Sequence, residues 1–307
     1  MKILITGGAG FIGSHITDKL IKNKHKIVII DNLSTGVEKN INPKAKFYYA
    51  DLTNFKKISE IFKKEKPEIV FHLAAQIDVR KSVAKPVEDA GINILAGINL
   101  IDIAYKSKVK KFIFSSTGGA IYGETKFRPT KEDHPEWPLS PYGIGKLSID
   151  KYLNYYNQVF GFNFISLRYS NVYGPRQNSK GEAGVVAIFI DKMIRKENPI
   201  INGNGKQTRD YIFVEDVAEA NLAALKNYKV SGFFNIGTGI ETDVNELFDE
   251  INKHFEGKFK KIHGQTKLGE QKTSCLSNSK AKKILKWKPK INFENGIEKT
   301  YKWFKMK

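Results

Sequence analysis

Short apolar runs rich in β-branched residues alternate with helical patterns over the first half of the chain, and this rhythm is the strongest constraint on its fold. The predicted strands are 2–6, 26–31, 46–51, 68–75, 110–117 and 163–171. Residues 27–30 are apolar without alternation, which is typical of a strand covered by helices on both faces. Helical patterns at 12–22 and 92–106 supply the crossovers that parallel strands need. We therefore predict an α/β fold of the Rossmann type, with a doubly wound parallel sheet.

The pattern becomes less regular after about Gly174, and the next helix is predicted at 185–195. We predict that residues 1–174 form a nucleotide-binding domain and that a later segment near 211–237 returns to it. Residues 175–307 are expected to form a smaller C-terminal substrate-binding lobe. In such a sheet the ligand lies beyond the carboxyl ends of the strands.

Composition and the N-terminus argue against membrane and secreted classes. No run approaches the roughly 18 consecutive apolar residues that span a bilayer, so no membrane association is predicted. The first apolar run ends at once in Gly7 and Gly8, which makes a poor secretory signal. The single cysteine, Cys275, has no partner for an intramolecular disulfide, which favours the cytoplasm. The six histidines are not paired at ligand spacing, so we predict no metal site.

The chain carries 51 Lys and Arg against 32 Asp and Glu, a formal net charge of +19 at pH 7. A lysine-rich composition explains most of this excess, so no specific nucleic-acid partner is predicted. A basic surface still raises the local concentration of anionic ligands such as dinucleotides and nucleotide sugars. It also leaves non-specific RNA binding open, which charge alone does not decide.

A glycine-rich segment follows the first predicted strand directly and reads Thr6-Gly7-Gly8-Ala9-Gly10-Phe11-Ile12-Gly13-Ser14. Spaced glycines allow a tight turn and a close approach of the backbone to a pyrophosphate, whose charge the helix N-terminus meets. Asp31 ends the next predicted strand, where its carboxylate can bind two ribose hydroxyls. Because that carboxylate would repel a 2′-phosphate, the segment predicts NAD rather than NADP.

Further motifs follow in order along the chain. They are Asp31-Asn32-Leu33-Ser34-Thr35-Gly36, Asp51-Leu52-Thr53, His72-Leu73-Ala74-Ala75-Gln76, Asn93 and Arg168-Tyr169-Ser170-Asn171-Val172-Tyr173-Gly174-Pro175-Arg176. Together with the spacing of the three glycines, these motifs resemble the extended short-chain dehydrogenase/reductase family over essentially the whole chain. The resemblance implies bound NAD, with Asp51 and Leu52 beside the adenine and Tyr169 near the nicotinamide. The cofactor-binding residues that it implies are Gly7, Gly10, Phe11, Ile12, Gly13, Asp31, Asn32, Ser34, Thr35, Gly36, Asp51, Leu52, Leu73, Ala74, Ala75, Gln76, Asn93, Ser115, Tyr142, Lys146 and Tyr169.

Tyr142 and Lys146 stand four residues apart and therefore on one face of a predicted helix. Spacing alone says little, because the interval recurs at Tyr122/Lys126 and Tyr301/Lys305. The setting is what distinguishes this pair. Ser140 is the predicted N-cap and Pro141 the first helical residue, in a helix that follows the strand ending at 115–117.

The pair suggests a general base. A tyrosine with a pKa near 10 is a poor base at neutral pH, but an ammonium group close by lowers that pKa by roughly two to three units before desolvation is counted. We therefore expect Lys146 to bring the pKa of Tyr142 toward neutrality. The family resemblance implies that Tyr142 is the base, that Lys146 also holds the nicotinamide ribose, and that Thr117 hydrogen-bonds the reacting hydroxyl.

The residues after Thr117 bear on the reaction type. Sugar-nucleotide dehydratases of the family typically carry an Asp-Glu pair there, whereas this chain has Gly118 and Gly119. The resemblance therefore implies C4 epimerisation of a UDP-hexose through a 4-keto intermediate. The substrate-binding residues that it implies are Thr117, Gly118, Asn171, Arg209, Lys267, Glu270 and Ser274.

Two substrate-binding positions carry further information. Lys267 stands where the family usually has arginine, and a lysine cannot make the two-pronged contact that arginine makes with phosphate. Ser274 falls where UDP-galactose 4-epimerases border the C2 substituent of the sugar. Its small side chain predicts that UDP-GlcNAc and UDP-GalNAc are accepted as well as, or instead of, UDP-Glc and UDP-Gal.

Two alternatives stay open. A UDP-glucuronate 4-epimerase or decarboxylase would need a further cation for the C6 carboxylate, and none can be placed from the sequence. A non-catalytic nucleotide-sensing or RNA-associated protein on the same fold is favoured only by the net charge. The family also implies a homodimer, formed here through helices near 92–106 and 142–159.

Overall fold

A computed structural model describes residues 1–179, 184–266 and 271–306. The strands are β1 (Lys2–Thr6), β2 (Lys26–Asp31), β3 (Lys46–Tyr49), β4 (Ile69–His72), β5 (Lys111–Thr117), β6 (Phe164–Tyr169), β7 (Asn171–Tyr173), β8 (Ile200–Asn202), β9 (Thr208–Arg209), β10 (Tyr211–Phe213), β11 (Gly232–Ile236), β12 (Thr242–Asp243) and β13 (Ile262–Gly264). The helices are α1 (Phe11–Lys22), α2 (Phe55–Glu65), α3 (Val79–Ala84), α4 (Pro86–Ala90), α5 (Ala96–Lys106), α6 (Gly118–Ile121), α7 (Pro141–Phe160), α8 (Val185–Ile194), α9 (Val214–Lys226), α10 (Val244–Lys253) and α11 (Phe293–Lys305).

Seven of these strands form one parallel sheet in the order β11-β6-β5-β4-β1-β2-β3. The predicted doubly wound α/β fold is confirmed. Strand order reverses between β1 and β4, so the switch point of the sheet lies at the carboxyl ends of these two strands. Thr6 and His72, the last residues of the two strands, meet there through a 2.8 Å contact between Thr6 Oγ1 and His72 Nδ1.

The predicted strands at 2–6 and 26–31 are confirmed to the residue. The single strand predicted at 163–171 is wrong, because the chain changes partners at Ser170. The Ser170 N–H donates to the carbonyl of Ile236 at the end of β11, whereas the Asn171 N–H donates to the carbonyl of Asp210. As a result β6 stays in the large sheet, and β7 pairs with β10 outside it.

The C-terminal half contributes to both parts of the molecule. Helix α9 packs against α1, and β11 lies beside β6 at the edge of the large sheet. A separate apolar cluster joins α8, α10 and α11 to β10 and forms the core of the smaller lobe. Within the described ranges, no helix is long and apolar enough to cross a bilayer.

Candidate active site

The glycine-rich turn after β1 is packed too closely for larger residues. Gly7 has φ +74°, and a β-carbon there would lie 2.7 Å from the backbone nitrogen of Ala74. A β-carbon at Gly13 would lie 2.0 Å from the Gly7 carbonyl oxygen, so the first turn of α1 rests directly on the loop. Gly10, the N-cap of α1, offers no side-chain acceptor to the first N–H groups of the helix. These donors, together with the helix dipole, fit a pyrophosphate at this position.

Asp31 lies at the end of β2 with its carboxylate turned toward that loop. Its Oδ2 accepts a 2.9 Å hydrogen bond from the Ala9 N–H, and Oδ1 accepts one of 2.9 Å from the Leu33 N–H. A β-carbon at Gly36 would lie 2.9 Å from Asp31 Oδ1, so this position requires glycine. Each carboxylate oxygen retains a lone pair, which fits a carboxylate that also binds a ribose.

Asp51, Asn32 and Ser34 form a second polar group beyond β2 and β3. Asn32 Nδ2 donates to Asp51 Oδ2 at 2.6 Å, and the Ser34 hydroxyl donates to Asn32 Oδ1 at 2.7 Å. Burial acts to raise the pKa of Asp51. Hydrogen bonds from Thr53 and Asn32 outweigh it, and the pKa is lowered. The carboxylate is therefore ionised at neutral pH beside the predicted adenosine site.

Gln76 and Asn93 are held together beyond β4. The Gln76 N–H donates to Asn93 Oδ1, and Asn93 Nδ2 donates back to the Gln76 carbonyl, both at 2.9 Å. The two side-chain amides also donate to one oxygen of Asp89, again at 2.9 Å. Asp89 is a buried residue of α4 to which the sequence had assigned no role.

Helix α7 begins as predicted and presents the Tyr142–Lys146 pair. Ser140 accepts a 3.2 Å hydrogen bond from the Gly143 N–H, and Pro141 is the first helical residue. Lys146 is 5% exposed, and its Nζ donates to the Ser115 carbonyl at 2.8 Å, which ties the helix to the carboxyl end of β5. The predicted meeting of strand end and helix start is confirmed.

The expected lowering of the pKa of Tyr142 is wrong for the protein itself. Burial raises the pKa of Tyr142 to about 12, and the carboxylate of Asp89 adds to the increase. Burial also lowers the pKa of Lys146 to about 8, against the opposing charges of Asp150 and Asp89. Attraction between a phenolate and an ammonium group would lower the pKa of the tyrosine, whereas desolvation is the largest effect on both groups here.

His72 and Phe114 pack beside Lys146. The His72 ring lies 5.5 Å from that of Phe114, centroid to centroid, and Lys146 Nζ lies 4.8 Å from the Phe114 centroid. Burial, followed by the charge of Lys146, lowers the pKa of His72 to about 3. His72 is therefore neutral at physiological pH and adds no positive charge to the site.

Tyr169 and Ser115 lie side by side on neighbouring strands. Their hydroxyls are 3.0 Å apart, and Asn221 Nδ2 donates to the Tyr169 hydroxyl at 2.8 Å. Burial raises the pKa of Tyr169 to about 12. Because this hydroxyl already has hydrogen-bond partners in the protein, the ring is the part of Tyr169 that is available for contact with a cofactor.

The predicted substrate residues Thr117, Asn171 and Ser274 converge around Gly119. A β-carbon at Gly119 would lie 3.8 Å from Ser274 Oγ, 3.9 Å from Asn171 Oδ1 and 4.0 Å from Thr117 Oγ1. A β-carbon at Gly118 would come within 2.3 Å of the Leu276 side chain. A dehydratase-type Asp-Glu pair therefore does not fit here without a shift of Leu276.

The segment that carries Ser274 is fixed by a buried carboxylate that the sequence analysis missed. Asp210 accepts hydrogen bonds from the N–H groups of Thr238, Gly239 and Leu276, at 2.8 to 3.2 Å. Arg209, the predicted substrate-binding residue that precedes Asp210, donates from Nη1 to the Thr208 carbonyl at 2.8 Å. Lys267 and Glu270 lie outside the described residues.

A buried ion network around Arg168 was also missed. Arg168 is fully buried; its Nε donates to Asp150 Oδ2 at 3.0 Å, its Nη1 donates to the Tyr122 hydroxyl at 2.9 Å, and Nη2 pairs with Glu136. The sequence signal was an arginine inside a largely apolar strand, because a strand covered on both faces admits a charge only with a buried partner.

Comparison with known proteins agrees with this geometry. The family model described as the NAD dependent epimerase/dehydratase family matches residues 3–237. The UDP-glucose 4-epimerase of Mycolicibacterium smegmatis is 38% identical over 312 residues, covering 100% of this chain and 99% of that protein.

Solved structures extend the similarity to the whole fold. The crystal structure of the UDP-glucose 4-epimerase of Thermotoga maritima with UDP-glucose matches with a TM-score of 0.97 and 45% identity, covering 100% of this chain and 99% of that one. The UDP-N-acetylglucosamine 4-epimerase of Methanobrevibacter ruminantium, in complex with UDP-N-acetylmuramic acid, matches with a TM-score of 0.94 and 35% identity, covering 99% and 98%. The chain therefore belongs to the NAD-dependent epimerase/dehydratase family of extended short-chain dehydrogenases/reductases and, within it, to the UDP-sugar 4-epimerases.

Proposed function

We propose that this enzyme interconverts the C4 epimers of UDP-glucose and UDP-galactose, and also those of UDP-GlcNAc and UDP-GalNAc, through a 4-keto intermediate. The observation that carries the proposal is the convergence of Thr117, Asn171 and Ser274 around the space beside Gly119. Lys146 fixes the start of α7, and with it Tyr142, at the carboxyl end of the strand that carries Thr117. A pyranose in that space meets hydroxyl and amide groups on one side and the Tyr142 phenol on the other.

In this mechanism Tyr142 moves one proton. It takes the proton of the C4 hydroxyl as the 4-keto sugar forms, and it returns the proton when the sugar is reduced from its opposite face. Thr117 donates a hydrogen bond to the reacting oxygen. Oxidised NAD, when bound, supplies the electron acceptor for C4 and a positive charge that favours the phenolate of Tyr142.

Several residues of the chain would hold that cofactor. The first turn of α1 would face the pyrophosphate. Asp31 would bind the adenosine ribose, and Lys146 would bind the nicotinamide ribose. Asp31 also disfavours a 2′-phosphate by charge repulsion, which supports NAD over NADP. The Asp31 carboxylate is already oriented by the Ala9 and Leu33 N–H groups.

The substrate range rests on Ser274. Its side chain is small, 3% exposed and close to the space beside Gly119. A small residue leaves room for an N-acetyl group at C2, and the similar Methanobrevibacter enzyme is named for an N-acetyl substrate. The Thermotoga enzyme was crystallised with UDP-glucose, the other substrate of the proposed pair.

Separate incubations with UDP-Glc, UDP-GlcNAc and UDP-GlcA, followed by chromatography of the products, test the proposal. We expect turnover of the first two, and loss of both activities in Tyr142→Phe. Ser274→Tyr should abolish turnover of the N-acetyl substrate while UDP-Glc is still converted, and Ser274→Ala should retain both. Equal loss on both substrates in Ser274→Tyr contradicts the assigned role of Ser274, and wild-type activity in Tyr142→Phe contradicts the mechanism.

The same proposal includes a cytoplasmic homodimer. Helix α7 and the π-helical segment Gly91–Leu95, which leads into α5, expose several apolar side chains: Leu95, Ile144, Tyr152, Tyr155 and Val159. An exposed apolar face of this kind favours a protein contact. The location rests on Cys275, which is buried and has no second cysteine in the sequence to pair with. Light scattering tests the dimer. We expect a dimeric wild type and a monomeric Val159→Asp variant, and a monomeric wild type would exclude the dimer.

A further inference from the structure

We propose that Asp89 is a positioning residue of the epimerase reaction, which sets the charge balance of the Tyr142–Lys146 pair from the side of α7 that faces α4. It touches neither the reacting sugar carbon nor its hydroxyl in this proposal. The inference rests on the proposed function, because it assigns a task to a residue outside the acid/base pair itself.

The geometry places one carboxylate oxygen in a fixed scaffold and turns the other toward the catalytic helix. Oδ1 accepts from Gln76 Nε2 and Asn93 Nδ2, both at 2.9 Å. Oδ2 lies 3.7 Å from the position of a β-carbon on Gly145, which stands between Tyr142 and Lys146 on α7. The carboxylate of Asp89 therefore lies within van der Waals range of the α7 residue between Tyr142 and Lys146.

Asp89 is also buried and does not belong to the charged surface of the protein. It is 2% exposed, and among the described residues its carboxylate forms no ion pair within 4 Å. A buried carboxylate without a direct counter-ion is costly unless a cation acts on it at longer range. Lys146 is the buried cation on the helix that Asp89 faces.

The charge of Asp89 acts on both members of the pair in the same direction. After burial, Asp89 is the group that raises the pKa of Tyr142. The charges of Asp150 and then Asp89 raise the pKa of Lys146 against burial. In physical terms the carboxylate holds the ammonium protonated and keeps the phenol protonated until substrate and cofactor are in place.

Other groups around the pair act differently. Asp150 follows Lys146 by one turn on α7 and also raises the pKa of Lys146, but its carboxylate pairs with the Arg168 guanidinium. His72, from β4, is neutral at physiological pH because burial lowers its pKa. Ser115 of β5 and Ser82 of α3 contribute only neutral contacts, through the Ser115 carbonyl and the Ser82 hydroxyl. Among the described residues, Asp89 is therefore a negative charge that acts on both members of this pair without a direct ion pair of its own.

The test is Asp89→Asn, which keeps the shape and the acceptor for Gln76 and Asn93 while removing the charge. Ultraviolet difference titration of the holoenzyme, with the Tyr142→Phe signal subtracted, reports the ionisation of Tyr142 without turnover. We expect its midpoint to fall by about one pH unit. Both limbs of the pH profile of kcat should move to lower pH by a similar amount, because Tyr142 and Lys146 lose the same negative charge.

Asp216→Asn is the matched control. Asp216 is also 2% exposed and is also held by N–H donors, from Lys290 and Ile291, but it lies on α9 away from the pair. We expect it to lower stability without moving the titration or the pH profile, and Asp89→Glu, which keeps the charge, should restore the wild-type midpoint. If Asp89→Asn does not fold, Asp89→Ser removes the same charge and is titrated instead.

The outcomes separate the two proposals. An unshifted Tyr142 midpoint in a folded Asp89→Asn or Asp89→Ser protein overturns the role of Asp89, whatever the activity. A shifted midpoint in Asp89→Asn, together with a wild type that converts no UDP-sugar, supports the charge effect but overturns the proposed function. A uniform drop in kcat with no shift of either limb indicates a merely structural residue and also overturns the inference.

Discussion

Two buried cations, Lys146 on α7 and Arg168 on β6, have opposite kinds of surroundings. Arg168 pairs directly with Asp150 and Glu136, and its guanidinium lies 4.5 Å from the Phe233 ring centroid. Lys146 donates to one backbone carbonyl and packs over one ring, and its carboxylates act at longer range. Both side chains are almost completely removed from solvent.

The difference indicates that Arg168 stabilises the fold, and it supports the role proposed for Lys146 in the reaction. Burial alone lowers the pKa of either group, but at Arg168 the charges of Asp150, Tyr122 and Glu136 prevail and raise it. At Lys146 burial prevails, and the pKa falls to about 8. A fully paired buried cation stabilises the protein as part of a network, whereas an underpaired one at a cleft marks a functional site.

Arg168→Met has the largest expected effect on stability and tests whether Arg168 is a structural cation. It leaves Asp150 and Glu136 buried or half-buried without their cation, so the free energy of unfolding should fall by about 3 to 5 kcal/mol. Urea denaturation of the purified variant measures this. The control is Arg195→Met, which removes a more exposed pair with Asp191 and should change stability by less than about 0.5 kcal/mol. Similar losses in both variants would show that Arg168 is no more important than a surface charge.

Lys146→Met makes the same chemical change at the other cation and should give the opposite result. Because the ammonium has no direct ion pair, we expect stability at pH 7 to be unchanged or higher by about 1 kcal/mol. The value of kcat should fall by about 100-fold or more, since the acid/base pair is broken. Paired denaturation and rate measurements test both halves of the prediction. A strongly destabilised Lys146→Met protein would remove the distinction between the two cations.

The pH dependence of stability sharpens the comparison. Below about pH 8, Lys146 is protonated in both states, and the folded wild type bears the cost of its buried charge. Between about pH 8 and pH 10.4 the folded state loses this proton first, so the free energy of unfolding rises with pH, by at most about 3 kcal/mol. Lys146→Met lacks that rise. Its stability relative to the wild type should therefore decrease across this range, and Lys111, whose pKa is also about 8, cancels in the difference.

The parts of the fold that could be predicted from sequence are those with local causes. The turn at Gly7 and the Ser140-Pro141 start of α7 are each specified within a few residues, because glycine φ angles and helix capping are local properties. The strand predicted at 163–171 failed for the opposite reason. Its break at Ser170 is set by hydrogen bonds to Asp210 and Ile236, which lie far along the chain.

The candidate site also contains features with local causes and features that depend on distant parts of the chain. Tyr142 and Lys146 could be identified from the sequence of one helix. The expectation that Lys146 lowers the pKa of Tyr142 considered these two side chains without their surroundings. The structure reverses the sign for Tyr142, because burial and Asp89 come from α7 packing against other elements. Asp89 and Arg168 received no role from the sequence, since a buried charge is recognised by its partners and these lie on separate helices and strands.

Tyr122→Phe gives the smallest predicted effect and completes the comparison, because Tyr122 shares the four-residue interval to a lysine that Tyr142 has. The Tyr122 hydroxyl accepts from Arg168 and donates to Asn235 Oδ1 at 2.8 Å, so it belongs to the paired network. Removing the hydroxyl leaves both partners short of one hydrogen bond in a buried setting, which should lower the free energy of unfolding by about 1 to 2 kcal/mol. The pH profile of kcat should stay in place, whereas Tyr142→Phe is expected to abolish activity and to leave the urea midpoint nearly unchanged. If Tyr122→Phe instead shifts the pH profile, the Arg168 network is coupled to the reaction, and the separation between a structural and a functional cation does not hold.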